Sequence, residues 1–234
     1  GAGSRRCQAG QIDRRSRGES LMPSKYSVVL ADIGQLAIEQ LTDRNRDREQ
    51  ALTVSREVVR FSANAIRAVH RADFEEAKGL IEKGAARLKE AEHIREDNPL
   101  IYNAGFMNDA RKEFTEANVT FAVISGGPIP PFEELGVDPS SYLNGIAEVI
   151  GELRRYILDA LRSDTVDRCQ EMMEVMDEIY GVLVTVDFPE PVTGGLRHTT
   201  DAMRGILERT RGDLTIAIRQ HALELRLAQW QDNR

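Results

Sequence analysis

Proline occurs only at positions 23, 99, 128, 130, 131, 139, 189 and 191, and this distribution constrains the fold more than any other feature of the chain. Proline lacks the amide donor that a helix interior needs, and its ring clashes with the preceding turn. Its absence from 24–98, 140–188 and 192–234 leaves room for long helices. Runs of alternating β-branched residues are few, so strand signals are weak. The pattern predicts helices over 26–42, 46–71, 73–96, 99–125, 140–162, 165–186 and 196–230, an all-α bundle. Asp138-Pro139-Ser140-Ser141 and Ser163-Asp164 suit helix starts. Gly126-Gly127-Pro128-Ile129-Pro130-Pro131 is a firm break. The seam Leu196, Met203, Leu207, Leu214, Ile218 and Leu225 gives the last helix one apolar side, for the core or for a subunit interface.

Charge narrows the function classes. The formal net charge is −7, while residues 1–25 carry about +4, so the body is near −11. An acidic body does not suit a generic basic nucleic-acid binder; binding of that kind needs arginine concentrated locally. Residues 1–24 are rich in Gly, Ser and Arg, and are expected to be a disordered basic tail. The first methionine is Met22, so part of this tail is expected to be an over-extended start. The remaining residues, 25–234, are expected to form one helical domain. No apolar run reaches the ~18 residues of a membrane span. Cys7 and Cys169, the only cysteines, make neither a disulfide framework nor a zinc spacing. Cytoplasmic residence without a membrane partner is the expectation.

Two constellations carry chemistry. At about 100° per residue, Arg56, Arg60, Arg67 and Arg71 fall within an arc of about 60° on one helix. Val54, Val58, Phe61, Ala65 and Val69 crowd the other side. Four guanidiniums in a row suit phosphate oxygens, although a solvated helix face produces the same pattern. The second constellation is acidic. Glu113 and Glu116 flank the apolar stripe Phe106, Ala110, Phe114, Ala117 and Phe121; Glu148 and Glu152 flank the stripe Tyr142, Ile146, Leu153 and Ile157. Like charges three or four apart repel by ~0.2–0.5 kcal/mol per pair, and a cation between the helices would reverse that cost. Oxygen-only ligands favour Mg²⁺ or Mn²⁺ over zinc. The plainer alternative is surface ion pairing, with Arg155 three residues after Glu152. His70, His93, His198 and His221 are scattered, without a ligand spacing. No glycine-rich phosphate loop follows a strand.

Four segments together resemble the translin family, and more closely its catalytic branch, translin-associated factor X. They are Asp47-Arg48-Glu49 through Ala68-Val69-His70-Arg71; Lys112-Glu113-Phe114-Thr115-Glu116-Ala117, in an E-F-x-E-A frame; Asp138-Pro139-Ser140-Ser141-Tyr142-Leu143-Asn144-Gly145 with Gly151-Glu152-Leu153; and the helical pair in 165–220. The resemblance spans about residues 28–225. It implies a seven-helix, all-α protomer that assembles into a hollow octameric shell and binds single-stranded RNA or DNA. In the factor X branch it implies an Mg²⁺-dependent endoribonuclease. Glu113 and Glu116 then match two catalytic glutamates. Glu148 matches a third catalytic carboxylate, aspartate in the eukaryotic pattern, and Glu152 matches the glutamate of G-E-L. Arg56, Arg60, Arg67 and Arg71 become the candidates for phosphate contact.

The function expected is therefore metal-dependent endoribonuclease activity of a homo-oligomer, with Glu113, Glu116, Glu148 and Glu152 holding Mg²⁺ or Mn²⁺. Two rivals stand beside it. One is a non-catalytic RNA- or DNA-binding shell protein whose acids are structural. The other is an all-α nucleoside triphosphate pyrophosphohydrolase, which also uses E-x-x-E and Mg²⁺; the Tyr142–Leu153 segment argues against it.

Overall fold

The computed structural model describes residues 24–163 and 168–232, apart from the side chains of Leu225 and Asp232. The basic tail expected over 1–24 thus lies almost wholly outside the described residues, as do Cys7 and the Asp164 cap. Among the described residues every regular element is helical: α1 (Ser27–His70), α2 (Phe74–Glu90), α3 (Glu92–Asp97), α4 (Pro99–Tyr102), α5 (Gly105–Ser125), α6 (Phe132–Leu135), α7 (Pro139–Arg162), α8 (Cys169–Leu183), α9 (Glu190–Thr193) and α10 (Leu196–Asp232). Seven of these have six residues or more, and α4, α6 and α9 are single turns. The chain divides into two compact units after Asp43. The candidate site belongs entirely to the second.

Local chemistry explains most of the boundaries. The Asp138 carboxylate accepts the Ser141 amide at 2.9 Å, and Pro139 opens α7 where no amide is needed. Asp73 caps α2 in the same way through the Glu76 amide. Gly126, at φ 80°, closes α5 in the left-handed conformation that glycine adopts without strain. The expected 26–42 and 46–71 helices are one element, because 43–45 contains neither proline nor glycine to stop the turn. The expected 73–96 and 99–125 helices instead break, at Ala91 and at Asn103-Ala104.

The helices of the second unit share one principal layer, α5 on α7, with α8 and α10 against α7 and α2 against α5. Val119, Ile150, Leu153, Ile157, Met172 and Met176 fill the larger part of the core. Val54, Val58, Ile94, Met107 and Phe114 form a second cluster. Along α10, Leu196, Leu207 and Leu214 are buried, while Ile218 is exposed.

Gly145 fixes how closely α5 and α7 approach. A β-carbon there would lie 2.6 Å from Thr115 Cβ and 2.7 Å from the Lys112 carbonyl oxygen. Only a glycine lets the two backbones meet at this point, which lies between the Glu113/Glu116 pair and Glu148.

Candidate metal centre

Glu113 and Glu116 lie on α5, one turn apart, and Glu148 lies on α7, one turn beyond Gly145. The contact at Gly145 brings them together. One carboxylate oxygen from each of the three lies within 4.8 Å of the others. That spacing matches oxygen ligands about 2–2.6 Å from a shared hard cation.

The three carboxylates differ in setting. Glu116 is only 8% exposed and has no hydrogen bond or salt bridge among the described residues. Burial, then the charges of Glu148, Glu113 and Glu152, push its pKa up to about 8. Glu113 is half-buried; burial is again the main cause of its raised pKa, with Lys112 opposing the shift. Glu148 accepts a hydrogen bond from Lys112 Nζ at 2.9 Å. A buried carboxylate without a cationic partner is costly, and a divalent ion would remove that cost. The donor set therefore fits a hard divalent metal: the cluster could bind one, and nothing in its chemistry selects between Mg²⁺ and Mn²⁺.

Glu152, the fourth acid expected, lies outside this triplet, although its charge acts on Glu116. Its Oε2 is 2.5 Å from His70 Nε2 and 3.8 Å from Arg155, and Oε1 makes no hydrogen bond among the described residues. The His70 side chain is 5% exposed. Sequence spacing missed this pairing because the partners are 82 positions apart. The only available signal was the position of His70 at the end of the helix that carries the arginine row. Lys112 was also missed. It stands inside the E-F-x-E-A segment, yet only the approach of α7 reveals that it spans Glu148 and Glu113, the latter at 3.9 Å.

The arginine row is a different kind of surface. Arg56, Arg60, Arg67 and Arg71 are all exposed. Arg60 lies 3.9 Å from Glu57, Arg67 donates to Asn64 at 2.6 Å, and Arg71 pairs with Glu76 at 2.6 Å. Arg67 and Arg71 flank His70 in sequence, which ties the end of the row to the acidic site.

No protein-family model matches the chain. An uncharacterized protein of Methanocaldococcus jannaschii is 31% identical over 209 residues, covering 88% of this chain and 92% of that protein. The structure of AfC3PO in complex with duplex RNA superposes with a TM-score of 0.72 at 34% identity, covering 78% of this chain and 95% of that one. C3PO proteins are of the translin family. This chain belongs to the translin family. Apo-NeC3PO, at 20% identity and a TM-score of 0.69, covers 85% of this chain and 99% of its own, and shares the fold. Among the described residues, no helix is long and apolar enough to cross a membrane.

Proposed function

We propose that this translin-family chain binds RNA or single-stranded DNA and cleaves RNA as an Mg²⁺- or Mn²⁺-dependent endoribonuclease, working as a homo-oligomeric shell. One observation carries the reading: three glutamate oxygens, one of them from the buried Glu116, lie within 4.8 Å of one another. Glu113, Glu116 and Glu148 are the metal ligands and catalytic carboxylates. Glu152 is a further ligand, its Oε2 held by His70. A bound divalent ion supplies Lewis acidity, acidifying a water and offsetting charge at the phosphodiester. The chain's part is to hold the four carboxylates in register through the α5–α7 contact, and to bury Glu116 so that it keeps its proton until a cation takes that proton's place. Arg56, Arg60, Arg67 and Arg71 grip phosphates on the approach to the site. The structure of AfC3PO in complex with duplex RNA supports RNA as the polymer. An octamer and a cytoplasmic location belong to the same proposal.

The contact between Lys112 and Glu148 favours a second reading, in which the acids are structural and the shell binds without cutting. The test is cleavage of labelled single-stranded and duplex RNA, with Mg²⁺, Mn²⁺ or EDTA, comparing the native protein with Glu113→Gln/Glu116→Gln. Metal-dependent cutting that the double variant abolishes is the expected result. Binding without cutting in every metal would leave the second reading. Hydrolysis of nucleoside triphosphates with no cleavage of polymer would point to the pyrophosphohydrolase.

A further inference from the structure

Lys112 supplies a cation to carboxylates that converge as if for a metal ion. Its Nζ lies 2.9 Å from Glu148 Oε1 on α7 and 3.9 Å from Glu113 Oε1 on α5. Two of the three clustered acids therefore already share an ammonium from their own chain, while Glu116 has no such partner. An ammonium and a divalent ion cannot both occupy the Glu113–Glu148 edge without strong repulsion.

The lysine has somewhere else to go. A polar cleft of about 170 Å³ adjoins the site, lined by Lys112 and Glu148 together with Asn108, Asp109, Asn144 and Thr199. Asp109 is exposed, lies three residues before Lys112 on α5, and already acts on its charge. The four-carbon stem of a lysine can swing between two such seats, and one quarter of this side chain is exposed.

We propose that Lys112 is an exchangeable counter-ion. In the metal-free protein it occupies Glu148 and Glu113; when a divalent ion binds it turns to Asp109 in the cleft, and this competition sets the metal affinity. The inference rests on the carboxylate metal site proposed above. It differs from a fixed structural ion pair in the sign of its effect. A fixed pair positions Glu148, so removing it weakens metal binding. A competitor, once removed, strengthens it.

Direct titration of the purified full-length chain with Mn²⁺, following the electron-paramagnetic resonance of the unbound ion, separates the two. Lys112→Met is expected to bind Mn²⁺ at least about tenfold more tightly than the native protein, about 1.4 kcal/mol. Lys112→Arg, which keeps the charge, should not. Equal or weaker binding by Lys112→Met overturns the proposal. Glu116→Gln tests the underlying site separately. Native Mn²⁺ binding that this variant leaves unchanged sinks the metal site, and with it the exchange. Binding that depends on Glu116 but not on Lys112 sinks the exchange alone. If neither the native protein nor Lys112→Met binds Mn²⁺, the exchange also fails.

A second measurement needs no variant to fold. The chain has five lysines, and reductive ¹³C-methylation keeps their charge. Addition of Mg²⁺ to the methylated native protein should move one lysine resonance strongly. Five unmoved resonances under saturating Mg²⁺ would overturn the exchange.

Discussion

The acidic cleft between α5 and α7 and the arginine row on α1 looked equally regular in sequence, but the fold treats them in opposite ways. The row stays in solvent, and Arg60, Arg67 and Arg71 each have a partner within five residues in the sequence. The cleft draws in acids from two helices, buries Glu116, and leaves it with no hydrogen bond or salt bridge among the described residues. Exposed, locally paired charge costs little and contributes little. A buried carboxylate with no such partner is costly to ionise, and Glu116 accordingly holds its proton to well above the ordinary carboxylate range. Both regions carry dense charge, and only the cleft carries an unmet electrostatic demand.

The comparison breaks most decisively at Glu116. Removing one buried ligand should lower metal-dependent RNA cleavage by about 100-fold or more, a loss on the scale of removing one preorganised electrostatic group. Single-turnover cleavage by Glu116→Gln measures it. Any single arginine of the row should cost far less. Comparable losses in the two regions would erase the distinction between them.

The same carboxyl makes the metal-free protein sensitive to pH. Its folded pKa, about 8, is raised above the ordinary 4.5. Between those values the folded state holds more protons than the unfolded chain, so stability falls as pH rises through this window. The loss is of the order of a few kcal/mol at most, since a tenfold change in proton affinity is worth about 1.4 kcal/mol. Thermal unfolding in EDTA from pH 4.5 to 8.5 should show the decline. Glu116→Gln should flatten it and be the more stable form at pH 8, and saturating Mg²⁺ should flatten it in the native protein. A level profile in the metal-free native protein would mean that the cleft carries no unmet demand.

Sequence legibility followed the same division. Helices were legible because proline is a local prohibition: the gaps at 140–188 and 192–234 accommodate α7, α8 and α10. The cap at Asp138 was legible for the same reason, since its partner is three residues away. The continuity of α1 through 43–45 was not, because no residue there either stops a helix or compels one. The turns α6 and α9 follow Pro131 and Pro189 and are too short to leave a period. At the site, Glu113 and Glu116 could be found from spacing and family frame. The contacts of His70 with Glu152 and of Lys112 with Glu148 join residues 82 and 36 positions apart. Such contacts exist only after α1, α5 and α7 have packed, and no single-chain period encodes them.

Gly145 tests whether that packing is what assembles the cleft. A methyl group there would press on Thr115 and on the Lys112 carbonyl, and the backbone of α5 cannot yield as a flexible side chain would. Gly145→Ala should therefore destabilise by about 1–3 kcal/mol, the usual cost of overpacking, although alanine is intrinsically the better helix former. It should also weaken Mn²⁺ binding by spreading Glu148 from Glu113 and Glu116. Urea unfolding and metal titration on the same sample measure both effects. Full stability with native metal affinity would mean that the helices can separate without disturbing the acids.

The smallest effects belong to the arginine row, and they sharpen the comparison by their form more than by their size. Arg56 has no hydrogen bond or salt bridge among the described residues, whereas Arg71 would first have to leave Glu76. If these side chains grip phosphates, each loss removes about one counterion-release event, lowering the salt slope of RNA binding by about 1 whatever the base sequence. Arg56→Gln should then weaken RNA binding a few-fold at moderate salt, and Arg71→Gln by less, because part of its attraction is already spent on Glu76. Neither change should alter the cleavage rate at saturating RNA. Fluorescence anisotropy across a salt series, with single-turnover cleavage alongside, checks both. An arginine that changed the saturated rate without changing the salt slope would place that side chain at the reacting phosphate and join the two regions into one site.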